Sequence, residues 1–127
     1  MTCFWDNIIT SLTEDDYNFI GYKKMNNLIF VKFLINMNEE TKNISWNNIP
    51  LTSKQIKENL DHIDNFNSNS IENGYLCSTC DPFLCLICHL FQINITHIFM
   101  ETTIYYTIPT PRKTLHFKSN FSHFDTY

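Results

Sequence analysis

The run Asp81-Pro82-Phe83-Leu84-Cys85-Leu86-Ile87-Cys88-His89-Leu90-Phe91 constrains the fold of this chain more than any other segment. Asp followed by Pro is a helix start, because the carboxylate caps free amides and proline fits the first helical position. The helix that follows, Pro82 to Phe91, is apolar nearly all round. Such a helix has no face to give to water and must lie at the centre of the fold. Beyond it the hydrophobic period changes to two: Ile93, Ile95 and His97, then Ile104, Tyr106 and Ile108, then Leu115 and Phe117, then Phe124. This alternation predicts a meander of three or four short strands, with Pro109 and Pro111 interrupting it between the second and third.

The segments before the central helix have helical spacing. Phe4, Trp5, Ile8, Ile9 and Leu12 share one face and predict a helix over 4–12, with Cys3 at its N-terminal edge. Thr13 can cap a second helix whose first turn carries Glu14, Asp15 and Asp16, where the helix dipole favours anions, and Gly21 ends it. Residues 26–37 have a near-helical period, while their β-branched content leaves a strand open as the alternative. Thr52 and Gln55 have capping-box spacing ahead of the stripe Ile56, Leu60 and Ile63. Residues 38–50 and Asn65–Gly74 read as loops. With no internal repeat and no linker, the whole of 1–127 is expected to be one α+β domain, helical in its N-terminal half, on a small, mainly antiparallel C-terminal sheet.

Composition removes several classes of function. Hydrophobic residues make up 43% of the chain and charged ones 17%, enough apolar mass for a core. The net charge of −4 argues against nucleic acid, and Arg112-Lys113 is too small a basic group to reverse that. The apolar runs Leu28–Ile35 and Phe83–Phe91 are shorter than the ~20 residues of a membrane helix. Nothing at the N-terminus looks like a signal peptide, and the odd count of 5 cysteines favours reduced thiols and a cytoplasmic location. Abundant Asn, Ile, Phe and Tyr, with no Ala and one Arg, fit an AT-rich genome such as that of a large DNA virus, a protist or an insect-associated microbe. That bias also weakens the reading of Asn as a loop signal.

One pairing carries chemistry. A thiol acts as a nucleophile when it is a thiolate, and a helix N-terminus plus an imidazole can bring its pKa to roughly 3.5–7.5. Cys3 opens a helix, and His123-Phe124-Asp125 at the far end supplies the rest. Residues two apart on a strand share a face, so Asp125 can orient His123 while the other ring nitrogen meets the thiol. Cys3-Phe4-Trp5 opening a helix, with Leu115 and Phe117 on a strand ahead of Ser122-His123-Phe124-Asp125, resembles the ovarian-tumour (OTU) family of deubiquitinating cysteine proteases. Gly74-Tyr75, Asp81-Pro82-Phe83-Leu84 and Asn94-Ile95-Thr96-His97-Ile98 look like that family's middle section. The resemblance implies a papain-like fold, a Cys3–His123–Asp125 triad and hydrolysis of ubiquitin or ubiquitin-like conjugates. It implies no cofactor, and a monomer acting in the cytoplasm, or the host cytoplasm if the source is viral.

Other readings stand beside it. The family's Asp-Gly lead-in to the cysteine is missing from the two residues before Cys3, which motivates an inactive OTU-like module that binds ubiquitin or another partner. His116 is the rival general base; His62, His89 and His97 read as structural or solvated. Cys77-x-x-Cys80 and Cys85-x-x-Cys88, followed by His89, motivate a small zinc-stabilised interaction domain. Only four residues separate those pairs, against the dozen or more that zinc ribbons use, and the second pair falls on a helix.

Overall fold

The structure is a computed structural model that describes residues 3–120 and 123–127, the side chain of Cys3 excepted. Five α-helices and six strands are described: α1 (Cys3–Ser11), α2 (Glu14–Phe19), α3 (Asn27–Asn36), β1 (Ser45–Trp46), β2 (Ile49–Pro50), α4 (Ser53–Asp64), α5 (Pro82–Phe91), β3 (Asn94–Phe99), β4 (Thr102–Thr107), β5 (Thr114–Ser119) and β6 (Phe124–Thr126). A 3-10 helix over Ser68–Asn73 precedes α5. The architecture is mixed α+β. No helix among the described residues is long and apolar enough to cross a membrane.

The caps form where the sequence places them. Thr13 and Asp16 exchange the reciprocal bonds of a capping box at α2, and Thr52 and Gln55 do the same at α4. Gly21, just past the end of α2, has φ +80°, a conformation glycine adopts without strain. Eight residues of the ten-residue α5 are buried, and each large apolar side chain among them contributes roughly 1.5–3 kcal/mol. That burial makes α5 the centre of the fold.

The sheet has the order β2-β1-β4-β3-β5-β6. Ile95 pairs with Tyr106 and Leu115, and His97 with Ile104 and Phe117, so these buried side chains line one face. That face lies against the helices, with α5 contacting β3 and β4, and α1 contacting β6.

Two expectations need correction. The strands do not form a meander: after β4 the chain crosses to the other side of β3, and β5 pairs with β3 in parallel, while the other pairings are antiparallel. Prolines at 109 and 111 have no amide to continue a ladder. The crossing segment is instead bonded around the start of β3: Asn94 Oδ1 accepts from the Ile108 amide at 2.9 Å, and the Asn94 amide donates to Lys113 O at 2.9 Å. The second correction is that 38–50 is not all loop, so the sheet is not confined to the C-terminal half. β1 and β2 are joined by Asn47 and Asn48, with φ 51° and 68°, as a two-residue hairpin turn requires. Ile71, in the stretch read as a surface loop, is buried.

Polar groups fasten this arrangement at two buried carboxylates. Asp16 accepts from Arg112 Nη2 at 3.0 Å and from Lys113 Nζ at 2.8 Å, joining α2 to the entry of β5. Burial alone would raise the Asp16 carboxyl, but hydrogen bonds from Lys113, Thr13 and Arg112 outweigh it and hold it below its ordinary range. Arg112 also donates to Phe91 O at the end of α5 and stacks its guanidinium 4.2 Å over Phe19.

Asp81 is the second. Its Oδ1 accepts from the amides of Phe83 and Leu84, and its Oδ2 from Tyr75 Oη at 2.8 Å and the Ser78 amide at 3.0 Å. Asp81→Ala removes the cap and leaves the Tyr75 hydroxyl and Ser78 amide without this acceptor. The cap is worth about 1 kcal/mol and the stranded, half-buried Tyr75 hydroxyl about 1–3 kcal/mol, so the variant should lose about 2–4 kcal/mol in urea unfolding. An unchanged midpoint would contradict this role.

Candidate functional site

Cys3 is the first residue of α1, and its backbone is placed there; its side chain lies outside the described residues. Phe4 and Trp5, the next two residues, are buried and lock that end of the helix into an aromatic cluster. Phe4 lies 4.8 Å from the Trp5 ring, 4.6 Å from Tyr75 and 4.8 Å from Phe124, between ring centroids. One turn beyond Cys3, Asn7 donates from Nδ2 to Phe124 O at 2.6 Å. Asn7 is thereby a point at which α1 is fastened to β6.

His123 lies immediately before β6 and is exposed. Its backbone is held from both sides by Asn120: the His123 amide donates to Asn120 Oδ1 at 2.9 Å, and the Asn120 amide donates to His123 O at 2.9 Å. These bonds fix the His123 backbone, and its side chain is exposed. Phe124 is buried, which sends Asp125 to the opposite, exposed face, where it stands across from Lys118. Two residues of strand separate His123 from Asp125 by about 7 Å along the backbone. No hydrogen bond joins the two side chains among the described residues. Because β6 ends the sheet, groups on both of its faces are reachable around the free edge.

The remaining histidines and cysteines go elsewhere. His116 is exposed on β5, with its ring 5.5 Å from Tyr127. His89 pairs with Glu39 at 2.7 Å, and His62 packs beside Phe83 at 5.9 Å. Cys85 and Cys88 are buried on α5, Cys80 is half-buried beside Cys85, and Cys77 is buried beside His97. No three or more His, Cys, Asp or Glu side chains among the described residues are gathered so as to hold a metal ion. A surface cleft of about 390 Å³ is lined by Asn26, Asn27, Leu28, Ile71 and Glu72, and includes none of the candidate residues.

His97 gives this region a polar core. Its Nε2 lies 2.6 Å from Ser119 Oγ and its Nδ1 4.0 Å from Cys77 Sγ, all three residues being buried. The arrangement has the parts of a nucleophilic site but the opposite electrostatics. Burial lowers the imidazole to about 4 and, together with the Asp81 charge, pushes the Cys77 thiol up. Both shifts oppose a thiolate–imidazolium pair, so this cluster is structural.

Asn7 and Asn120 fix the backbone around the candidates; sequence reasoning missed Asn7 and offered Asn120 only as a polar contact without a role. Asn7 was visible as the i+4 neighbour of Cys3; the role of Asn120 was hidden in a composition rich in asparagine. No protein-family model matches the chain, and no curated protein or solved structure matches it significantly.

A pH dependence follows from His97. The unfolded chain takes up a proton near pH 6.5, whereas the folded chain resists protonation until about 4. Stability should be fully present above pH 6.5 and fall as the pH drops towards 4. Between pH 7 and pH 5 the loss from this group should be about 2 kcal/mol. Urea unfolding at the two pH values should show that His97→Gln removes this part of the slope; an unchanged slope would assign it to other groups.

Proposed function

We propose that this protein is a thiol hydrolase of the OTU-like, papain-like type that cleaves ubiquitin or ubiquitin-like conjugates. One observation carries the reading: the helix that Cys3 opens is fastened to the strand that His123 precedes, through the Asn7–Phe124 bond and the Phe4–Phe124 contact. The sequence ends that must meet in such an enzyme are thus on adjacent elements.

In this reading the Cys3 thiolate attacks the carbonyl carbon of the isopeptide bond. His123, protonated on receiving the thiol proton, gives that proton to the departing lysine amine as the carbon–nitrogen bond breaks. His123 then takes a proton from water, the hydroxide attacks the thioester, and Cys3 leaves as thiolate. Asp125 orients the imidazole after a rotamer change that brings the carboxylate and ring into contact, a tightening that apo sites often need. The backbone amides at the start of α1 supply donors for the developing oxyanion.

The test is intact-mass detection of an adduct between the purified chain and a ubiquitin C-terminal electrophile. Wild type should form a single adduct that Cys3→Ala abolishes and His123→Ala slows by at least 100-fold, in the range of a lost general base. Asn7→Ala should slow it by roughly tenfold through loss of positioning. No adduct at all would refute the active enzyme, and ubiquitin binding that survives Cys3→Ala would identify the inactive binding module instead.

A further inference from the structure

The stretch from Tyr17 to Asn38 contains no Asp or Glu but has three lysines, Lys23, Lys24 and Lys32, in a chain of net charge −4. All three are exposed, and none is in an ion pair with a described carboxylate. Beside them the first turn of α3 presents apolar side chains to solvent, Leu28 at 38% exposure and Ile29 at 53%. Tyr22, 47% exposed, has its ring centroid 4.8 Å from that of Phe33, which lies one turn beyond Ile29. Lys32 lies one turn beyond Leu28. Tyr22, Ile29 and Leu28 thus form an apolar strip with Lys23 and Lys24 at one end and Lys32 at the other. The nearby acids stand at the N-terminal end of α3: Asp6, which accepts from Asn27 Nδ2 at 2.5 Å, and Glu72, which shares a cleft with Leu28.

We propose that this strip is a docking surface for an anionic membrane, on which the domain rests peripherally. Its charge fixes the sign of the partner, since a lysine-flanked apolar face is complementary to a surface of negative headgroups. No helix among the described residues can cross a bilayer, so the contact is with the interface alone. Docking there requires no catalysis and is independent of the protease reading.

Three features favour lipid over an acidic protein. Protein interfaces are depleted in lysine and enriched in arginine, and all the cations here are lysines. The apolar side chains stand on the outside of a helix, whereas an amphipathic partner helix would need a groove. The cleft beside Leu28 does not supply one for an acidic helix, because Asn26, Asn27 and Glu72 line it as well. The combination of residues also suits a bilayer interface. A tyrosine ring sits at headgroup level, Leu28 and Ile29 reach the acyl boundary, and lysine stems extend back to the phosphates. Each lysine near an anionic surface strengthens binding about fivefold, so the three together supply about 100-fold.

The test is sedimentation of the full-length chain with vesicles of phosphatidylcholine, with and without about 30% phosphatidylserine. Partition onto the anionic vesicles should exceed that onto neutral ones by roughly tenfold or more at low salt, and the difference should vanish near 1 M salt. Lys23→Glu with Lys24→Glu should cost roughly tenfold or more in partition, and Ile29→Ser roughly threefold or more. The same charge change on α4, Lys54→Glu with Lys57→Glu, should stay within about twofold of wild type. Circular dichroism shows whether each variant is folded. No preference for anionic vesicles, an equal loss in the α4 variant, or partition untouched by Ile29→Ser would each overturn the proposal. Retention on immobilised polyglutamate without vesicle binding would overturn it in favour of an acidic protein partner.

Discussion

The fold turns on a carboxylate that has no contact with water. Asp81 is fully buried, and burial pushes its carboxyl upward against the hydrogen bonds that favour its charge. A buried acceptor of this kind is tolerated only when its lone pairs are taken up. Here they are taken up by the first free amides of α5, the Ser78 amide and the Tyr75 hydroxyl. Its own amide donates to Tyr106 Oη at 2.9 Å, and that hydroxyl donates to Thr79 O at 3.1 Å, which ties the helix start to β4. Trp46 of β1 donates to the same Thr79 carbonyl. One residue thus fixes the position of the central helix relative to the sheet. Through Tyr75, whose ring packs on Phe4, the same network reaches the beginning of α1.

What the sequence revealed of this architecture was whatever a short window can encode. Capping boxes, the Asp-Pro start of α5 and the change of period after Phe91 are local signals, and the elements they specify are present. The sheet order depends on pairings between segments far apart, which no window contains. The parallel pairing of β3 with β5 is the clearest case. The β1–β2 hairpin was hidden for a different reason: Asn47-Asn48 is a recognisable turn pair, but an asparagine-rich composition made it look like background. Likewise, Arg112 and Lys113 looked like a deficient nucleic-acid footprint, whereas their charge is spent on Asp16.

The candidate site was legible in its residue types and their order along the chain, and not in its supports. A cysteine at a helix start and a His-Phe-Asp at a strand start are visible as text. The alternation that buries Phe124 also sends Asp125 to the outer face, so the strand pattern fixes the side chains more firmly than any pairwise expectation of a triad. The supports are asparagines bonded to backbone: Asn7 to Phe124 and Asn120 to His123. Neither bond leaves a sequence signature, because each depends on where another segment's carbonyl or amide comes to rest. His97 shows the reverse case. Its place in the alternation with Ile93 and Ile95 put it on the inner face, and the structure buries it there with a hydroxyl and a thiol.

The proposed chemistry requires the start of α1 and the start of β6 to act together on one thiol. The rate of iodoacetamide alkylation of Cys3 as a function of pH, followed by peptide mass in a Cys80→Ala chain, measures this directly. The thiolate population should titrate below about pH 7.5 in that chain, and towards the ordinary value near 8.5 when His123→Ala is added. A Cys3 that titrates near 8.5 whether or not His123 is present would contradict it.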